Sequence, residues 1–273
     1  MPDLYAVIGN PVAQSKSPRI HAEFARQLAQ DLRYTTVLAP RDGFAAAVAK
    51  FRAAGGRGLN VTVPFKLEAF ELATERTERA EQAGAVNTLK FEGAAMLGDN
   101  TDGAGLVSDI ENRLRFSIRG KRVLLMGAGG AARGAVLPLL RAGPASLVLA
   151  NRTVAKAKEL ERRFAPFGPV PGGDYASLAG RQFDLVINAT SASLTGELPA
   201  LPAGVLAPGS LAYDMVYGSE WTSFLLYAKD HGAARVADGL GMLLAQAAES
   251  FWLWRGLRPD TGPVLELMRG TPG

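Results

Sequence analysis

Cysteine is absent from this chain of 273 residues, and histidine occurs only at His21 and His231. Without thiols the chain forms no disulfide and no cysteine-ligated metal site. The two histidines are far apart in the sequence, so we expect no histidine-based metal site either. We therefore expect neither thiol chemistry nor a metal site built on cysteine or histidine.

The chain also lacks a basic leader and a long apolar run. The opening residues, MPDLYAVIGN, do not join a basic segment to an extended apolar stretch, as a signal peptide does. No apolar run approaches the roughly 18 residues that a membrane helix needs. We therefore expect a cytoplasmic protein without a membrane partner.

Charge of one sign is not concentrated anywhere. The 30 Lys and Arg residues face 26 Asp and Glu residues, and the two signs are mixed, as in ATERTERAEQ. A nucleic-acid surface would need clustered cations with exposed aromatic residues. We therefore expect no nucleic-acid partner. The catalytic signatures H-E-x-x-H, G-x-S-x-G and the Walker lysine loop are also missing from the sequence.

Short strand patterns alternate with helical patterns along most of the chain. Ser17 and Asp42 stand where helix N-caps are expected, and a turn at Glu92 and Gly93 separates two short strands. The pattern restarts near residue 120, and the chain ends in helices. This alternation predicts two α/β halves with parallel sheets, joined near residues 99–103. It leaves open which half the terminal helices join.

A glycine-rich turn opens the second half. The segment GAGGAA, beginning at Gly127, fits G-x-G-x-x-A, follows an apolar strand and begins a helix. Gly127 permits a tight turn, Gly129 leaves space for a pyrophosphate against backbone N–H groups, and Ala132 allows close packing of helix on strand. The alternative is a purely structural turn.

The end of the next strand indicates which dinucleotide binds. Asn151 lies 24 positions after Gly127 (151 − 127), where an acidic residue would accept hydrogen bonds from the ribose of NAD. Arg152 instead offers planar donors and a permanent charge to a 2′-phosphate, and Thr153 and Lys156 can add to them. We predict NADP(H) over NAD(H); the alternative is a solvated arginine.

Three stretches of the first half carry candidate substrate-binding residues. Ser15 and Ser17 precede a helix and suit a small carboxylate, although plain N-capping by Ser17 is an alternative. Lys66 follows a strand end, where ligands sit in α/β sheets, but it also suits an ordinary surface position. Asn87 and Asp102 are polar residues in apolar or glycine-rich surroundings. These residues alone leave the chemistry undecided.

Taken together and in this order, YAVIGNPVAQSKSP, NVTVPFK, AGAVNTL, GDNTDG, GAGGAARG, NRT, INAT and DGLGMLLAQA resemble the shikimate dehydrogenase family over about residues 4–260. The resemblance implies reversible reduction of 3-dehydroshikimate to shikimate by NADPH, in aromatic amino-acid biosynthesis. It implies an α/β substrate domain over residues 1–101, completed by C-terminal helices within 239–273. A Rossmann-like NADP domain would span 102–238, with both ligands in a cleft between the domains.

The resemblance also implies residue roles. Lys66 and Asp102 would be the catalytic pair, with Lys66 as general acid in reduction and general base in oxidation. The substrate would be bound by Ser15, Ser17, Thr62, Lys66, Asn87, Asp102, Tyr217 and Gln246. NADP would be held by Glu78, Gly127, Ala128, Gly129, Gly130, Ala131, Asn151, Arg152, Thr153, Lys156, Met215 and Gly239.

The sequence departs from the family where small residues are usual. Ser193 and Leu194 follow NATS there, which puts the shape of a cofactor-side loop in doubt. Two rival functions stay open: a dehydrogenase of the same architecture acting on quinate as well, and a non-catalytic NADPH-binding sensor. A sensor would be expected to lose Lys66 or Asp102, and both are present. The sequence leaves monomer and homodimer open.

Overall fold

A computed structural model describes residues 1–270, apart from the side chain of Leu194. The described residues form two compact units. Unit 1 comprises Met1–Gly105 together with residues 244–270, and unit 2 comprises Leu106–Leu243. No described helix is both long and apolar enough to cross a membrane.

The sheet of unit 1 has six strands, in the order β2-β1-β3-β5-β6-β4. They are β1 (Asp3–Gly9), β2 (Leu32–Leu38), β3 (Gly56–Val61), β4 (Glu75–Arg76), β5 (Thr88–Glu92) and β6 (Ala95–Asp99). β1 pairs in parallel with β2 and β3, and β4 with β6. β5 is antiparallel to both its neighbours, and a tight turn at Gly93, where φ is +55°, joins β5 and β6 as a hairpin. The sheet is therefore mixed.

The sheet of unit 2 is parallel throughout, in the order β12-β11-β10-β7-β8-β9. Its strands are β7 (Arg122–Met126), β8 (Ser146–Ala150), β9 (Gly172–Gly173), β10 (Phe183–Asn188), β11 (Leu206–Asp214) and β12 (Arg235–Ala237). If β7 is numbered 1 and the sheet is followed from its β9 edge, the strand order is 3-2-1-4-5-6. This is the order of a Rossmann-like dinucleotide fold. The predicted class of two α/β domains is confirmed.

Ten α-helices accompany the sheets in the described residues. They are α1 (Ser17–Gln27), α2 (Phe44–Ala53), α3 (Lys66–Leu72), α4 (Glu78–Ala83), α5 (Asp102–Ser108), α6 (Gly130–Arg141), α7 (Val154–Phe164), α8 (Ser223–Asp230), α9 (Leu240–Arg255) and α10 (Thr261–Arg269). The chain passes from unit 1 to unit 2 within α5 and returns within α9.

Two predicted helix caps are wrong. α1 begins at Ser17 itself, and Lys16 is its N-cap residue without a side-chain hydrogen bond. The N–H of Ser17 is instead donated to the Ser15 hydroxyl at 3.3 Å, so Ser15 does the capping. Gly43, not Asp42, precedes the first turn of α2. Each prediction was misplaced by one residue, within the usual uncertainty of helix ends.

Strand alternation separates the packed layers of unit 2. Val123 and Leu125 of β7 lie in one buried apolar cluster, whereas Leu124 and Met126 lie in another. Successive side chains of a strand point to opposite faces, so helices cover both faces of this sheet. That arrangement leaves the carboxyl ends of the strands, and the loops that follow them, for ligands.

Candidate functional site

One edge of the unit 1 sheet gathers the predicted substrate residues. β1, β3 and β6 end at this edge, and β5 begins there because it runs antiparallel to β3 and β6. The loops and helix starts at this edge carry Ser15, Ser17, Thr62, Lys66, Asn87 and Asp102. The topology thus brings together residues that lie up to 87 positions apart (102 − 15).

Lys66 and Asp102 form an ion pair at this edge. Lys66 is the first residue of α3 and Asp102 the first of α5, and the Lys66 ammonium contacts Oδ2 of Asp102. The side chain of Lys66 is 24% exposed, and that of Asp102 only 6%. The carboxylate is therefore held inside the protein, while the ammonium remains within reach of a ligand.

Asn87 fixes the other oxygen of the same carboxylate. Its buried amide nitrogen lies 2.8 Å from Asp102 Oδ1, 2.8 Å from Gln246 Oε1 and 2.9 Å from Thr101 Oγ1, and its two protons serve two of these acceptors at a time. Its carbonyl oxygen accepts from the backbone N–H of Thr101 at 2.9 Å. The amide and the ion pair form one hydrogen-bonded group that can orient a polar ligand.

Gln246 reaches this group because α5 and α9 lie very close together. A Cβ built on Gly105 would be 2.6 Å from the backbone nitrogen of Gln246, so a side chain at this position would displace α9. Gln246 belongs to unit 1, as do Asn87 and Asp102. The structure therefore places the side chain of Gln246 against the amide of Asn87. Both residues are among those expected to bind the substrate.

Ser15 and Thr62 lie in loops at the same edge of the sheet, and Ser17 is the first residue of α1. Ser17 is buried, with 8% of its surface exposed, and Ser15 is half-buried. The backbone N–H of Thr62 donates to Ile8 O at 3.0 Å, which holds the segment after β3 against β1. Gly9 is needed there, because an added Cβ would lie 2.4 Å from the Thr62 methyl carbon.

Four further polar residues join this group and were missed by the sequence analysis: Asn60, Thr88, Thr101 and Ser250. Asn60, Thr88 and Thr101 contact Asn87 directly, and Ser250 is connected to it through Thr88 and Thr101, with hydrogen bonds of 2.8 to 3.4 Å. One signal for Ser250 exists in the sequence. It follows Gln246 by four residues on the same helix, so both face the same side.

The turn between β7 and α6 fits a dinucleotide. Gly127 has a φ of +105°, and a Cβ there would lie 3.0 Å from Ala189 O. A Cβ on Gly129 or Gly130 would meet no described heavy atom within 4 Å, so the backbone is open to an approaching pyrophosphate. α6 has no side-chain cap and no acidic residue in its first turn. Its free N–H groups therefore attract a phosphate. Ala128 and Ala131 complete the turn.

The segment after β8 is open and positively charged. Asn151 directly follows β8, and its side chain donates to Thr153 O at 2.9 Å. Arg152, Thr153 and Lys156 are exposed around the start of α7, which has no side-chain cap and no acid in its first turn. The residues present fit a 2′-phosphate, because both the helix start and the cations favour an anion.

Met215 and Gly239 lie together in unit 2. A Cβ on Gly239 would be 2.1 Å from Met215 O, so only glycine allows this approach. Tyr217 is half-buried in the same unit, and burial raises the pKa of its phenol. Glu78 is an exposed residue at the start of α4 in unit 1. The ligand roles of these four residues remain predictions.

Ser193, the departure from the family pattern, is hydrogen-bonded on both sides. Its hydroxyl donates to Asp214 Oδ2 at 2.6 Å and accepts from Asn188 Nδ2 at 2.9 Å. Thr222 donates to the same Asp214 oxygen at 2.6 Å. The loop after β10 is thus tied to the end of β11. The side chain of Leu194 lies outside the described residues.

Three family models match the chain in succession. Residues 7–89 match the shikimate dehydrogenase substrate binding domain, and residues 110–195 match the family described as shikimate / quinate 5-dehydrogenase. Residues 239–269 match the shikimate 5′-dehydrogenase C-terminal domain.

Full-length relatives have similar sequences and folds. The shikimate dehydrogenase (NADP(+)) of Nitrosospira multiformis is 62% identical over 273 residues, covering 100% of this chain and 99% of the relative. The crystal structure of an Ael1 enzyme from Pseudomonas putida has a TM-score of 0.93 and 51% identity, with 99% of each chain covered. Shikimate 5-dehydrogenase from Thermus thermophilus, in complex with NADP(H) and shikimate, has a TM-score of 0.88 and 31% identity, with 98% of each chain covered.

Proposed function

The chain belongs to the shikimate dehydrogenase (NADP(+)) family, and from that premise we propose how its own residues carry out the reaction. Family membership makes it an NADP-dependent oxidoreductase of the shikimate pathway. We assign substrate binding to unit 1, NADP binding to unit 2, and catalysis to Lys66 and Asp102. The observation that carries this assignment is the Lys66–Asp102 ion pair, with Asn87 donating to the same carboxylate.

In this assignment the substrate carboxylate binds to Ser15 and Ser17 at the start of α1. A helix start offers free backbone N–H groups and favours a negative charge. The ring hydroxyls are bound by Thr62, Asn87 and Gln246, whose hydroxyl and amide groups can both donate and accept. Tyr217 adds a protonated phenol from unit 2, because burial raises its pKa.

NADP is held by the two uncapped helix starts of unit 2. The turn from Gly127 to Ala131 binds the pyrophosphate, and the segment from Asn151 to Lys156 binds the 2′-phosphate. Met215 and Gly239 adjoin the nicotinamide, and Glu78 contributes from unit 1. When bound, the reduced cofactor supplies a hydride to the ketone carbon of 3-dehydroshikimate.

Lys66 provides the proton for the ketone oxygen. As the carbon gains the hydride, the C=O bond becomes a C–O single bond and negative charge develops on oxygen. The Lys66 ammonium stabilises that charge and donates its proton, which yields the alcohol and a neutral amine. Solvent returns the proton to Lys66, whose side chain is 24% exposed. In oxidation the neutral amine accepts the hydroxyl proton, and Asp102 orients Lys66 in both directions.

Absorbance at 340 nm tests this function. We expect the purified chain to reduce NADP⁺ with shikimate, and to do so faster than with quinate or with NAD⁺. Faster turnover with quinate would favour the quinate-oxidising alternative. Cofactor binding without turnover of either acid would favour the non-catalytic sensor. Rescue of a shikimate auxotroph by the chain would test the reaction independently.

We also propose that the protein acts in the cytoplasm, as a monomer or a homodimer. The basis for the location is the reaction of the family, whose acid substrate and NADP are both water-soluble. Cell fractionation tests the location. Size-exclusion chromatography with light scattering tests the oligomeric state, and a tetramer or a larger assembly would contradict the proposal.

A further inference from the structure

Ser250 is a fully buried hydroxyl next to the catalytic group that the mechanism above does not use. It lies on α9 in unit 1, with 0% of its surface exposed. Its oxygen accepts from Asn60 Nδ2 at 2.9 Å and lies 2.8 Å from Thr88 Oγ1 and 3.4 Å from Thr101 Oγ1. Its hydroxyl can also donate to the backbone oxygen of Gln246, one turn earlier, at 3.1 Å. Ser250 therefore connects α9 to β3 and β5.

The hydrogen bonds around Ser250 form a chain with one consistent direction. Asn60 donates to Ser250, Ser250 can donate to Thr88, and Thr88 donates to Asn87 Oδ1 at 2.9 Å. Asn87 then donates through its amide nitrogen to Asp102, which pairs with Lys66. In this arrangement each hydroxyl uses its single proton once. The Ser250 proton goes to Thr88 at 2.8 Å in preference to the more distant Gln246 oxygen at 3.1 Å, and Thr88 also accepts from Asn60 Nδ2 at 3.1 Å.

Tyr34 fixes the beginning of this chain. Its phenol donates to Asn60 Oδ1 at 2.7 Å, which turns the Asn60 amide nitrogen toward Ser250. Burial raises the pKa of Tyr34 well above its ordinary value, so the phenol keeps its proton. The orientation of the Asn60 amide is therefore the same throughout the neutral range.

The direction matters because of the amide of Asn87. Rotation of this amide by half a turn would place its carbonyl oxygen against the Asp102 carboxylate, two acceptors with no proton between them. The backbone N–H of Thr101 and the hydroxyl of Thr88 both oppose that rotation by donating to the Asn87 oxygen at 2.9 Å, and Ser250 holds the hydroxyl of Thr88. Neither Thr88 nor Ser250 needs to touch a ligand to have this effect.

We propose that Ser250 is a positioning residue for the reaction, acting through Thr88 on the amide of Asn87 and so on the Asp102–Lys66 pair. This inference rests on the proposed function, in which that pair transfers the proton. Without the Ser250 hydroxyl, Thr88 loses the 2.8 Å contact that holds its hydroxyl, so its hydrogen bond to Asn87 weakens and Asn87 more often samples the orientation that repels Asp102. The substrate still binds, but the acid–base pair is less often aligned.

Ser250→Ala tests the proposal through the separation of kcat from KM. We expect kcat for shikimate oxidation to fall roughly 10- to 100-fold, the range for small displacements of catalytic groups, with KM changed less than about threefold. The matched control is Ser210→Ala. Ser210 is also fully buried, and its hydroxyl has no hydrogen-bond partner among the described residues. The control is expected to keep the wild-type kcat.

A double mutant then shows whether Ser250 acts through Asn87. If it does, Ser250→Ala adds less than about twofold to the loss in kcat caused by Asn87→Ala, because the interaction is already removed. If the two losses in kcat multiply in the double mutant, Ser250 does not act through Asn87, and the proposal is overturned. Ser250→Cys keeps the side-chain volume and offers only a weak hydrogen bond, so it provides the same test if the alanine variant does not fold.

The wild-type chain separates this inference from the proposed function. No turnover of shikimate by the wild type would refute the function, and with it the role of Ser250. Normal wild-type turnover together with an unchanged kcat in both Ser250 variants would refute only the role of Ser250. A rise in KM at constant kcat would also overturn it, because it would indicate loss of binding alone.

Discussion

The imidazole of His21 stacks on the phenol ring of Tyr34, with the ring centroids 4.2 Å apart and the planes inclined by 5°. His21 is fully buried, and Phe24, Phe251 and Trp254 surround the same ring. Neither ring nitrogen has a hydrogen-bond partner within the described residues. Burial disfavours the charged imidazolium and lowers the pKa of His21 from 6.5 to about 3.

We predict that His21 makes the protein less stable in mild acid. The unfolded chain binds a proton at this residue below pH 6.5, whereas the folded chain does not bind it until about pH 3. His21 therefore does not lower the free energy of unfolding above pH 6.5, and it lowers it progressively as the pH falls from 6.5 toward 3. At pH 5 the loss from this group is about 2 kcal/mol, at 1.36 kcal/mol for each pH unit below 6.5. Urea unfolding between pH 5 and 7.5 measures it.

His21→Phe provides the comparison, because a phenyl ring keeps the stacking and cannot be protonated. The variant should lose about 2 kcal/mol less than the wild type between pH 7.5 and 5. His231→Gln removes the other, exposed histidine and should retain the wild-type pH dependence. The prediction would be contradicted if the free energy of unfolding fell equally steeply with decreasing pH in His21→Phe and in the wild type.

Ser193→Gly tests whether the departure from the family pattern stabilises its loop. Glycine removes the hydrogen bonds to Asp214 and Asn188, both buried, and makes the backbone more flexible. We expect a loss of about 1–3 kcal/mol in unfolding free energy, seen as a lower melting temperature in calorimetry. Ser191→Gly, in the exposed part of the same loop, is the control. A melting temperature equal to that of the control would show that the loop does not need Ser193.

The long elements of the fold follow from the sequence because their periodicity is strong. The apolar run of residues 123–126 and the glycine-rich turn after it predict a strand, a turn and a helix, which the structure confirms. β4, β9 and β12 have only two or three residues each, too few to show alternation. Such strands form because a neighbouring strand provides hydrogen bonds, which sequence patterns do not reveal.

The candidate site was predictable only in part. The resemblance identified Lys66, Asn87, Asp102 and Gln246, and the structure places these four side chains together. Thr88 and Ser250 were missed because a threonine in a strand and a serine in a helix look unremarkable locally. Their contact joins positions 162 residues apart, so it exists only in the folded chain.

Lys66→Ala is expected to remove most of the turnover. Loss of an acid–base group typically lowers kcat by about 10²- to 10⁴-fold, whereas KM for shikimate should change little because Lys66 acts mainly in the transition state. Lys50→Ala, an exposed lysine on α2, is the control and should retain the wild-type rate. Near-normal turnover by Lys66→Ala would mean that another group carries the proton.

Arg152→Asp tests the choice of NADP over NAD. The change removes a cation and places a carboxylate beside the start of α7, which repels a 2′-phosphate and can accept hydrogen bonds from an unphosphorylated ribose. Loss of a hydrogen bond to a charged group, at about 1.5–3 kcal/mol, predicts a KM for NADP⁺ at least about tenfold higher. The KM for NAD⁺ should stay the same or fall.

The control for Arg152 is another arginine on the same element. Arg162 is exposed in the last turn of α7, far along the helix from its start. Arg162→Asp makes the same change in net charge, so a general electrostatic effect on NADP⁺ would appear in both variants. If Arg152 binds the 2′-phosphate directly, only its own replacement alters the ratio of the two KM values. Equal changes in both variants would assign the preference to overall charge, and an unchanged ratio in Arg152→Asp would remove the basis for the assignment.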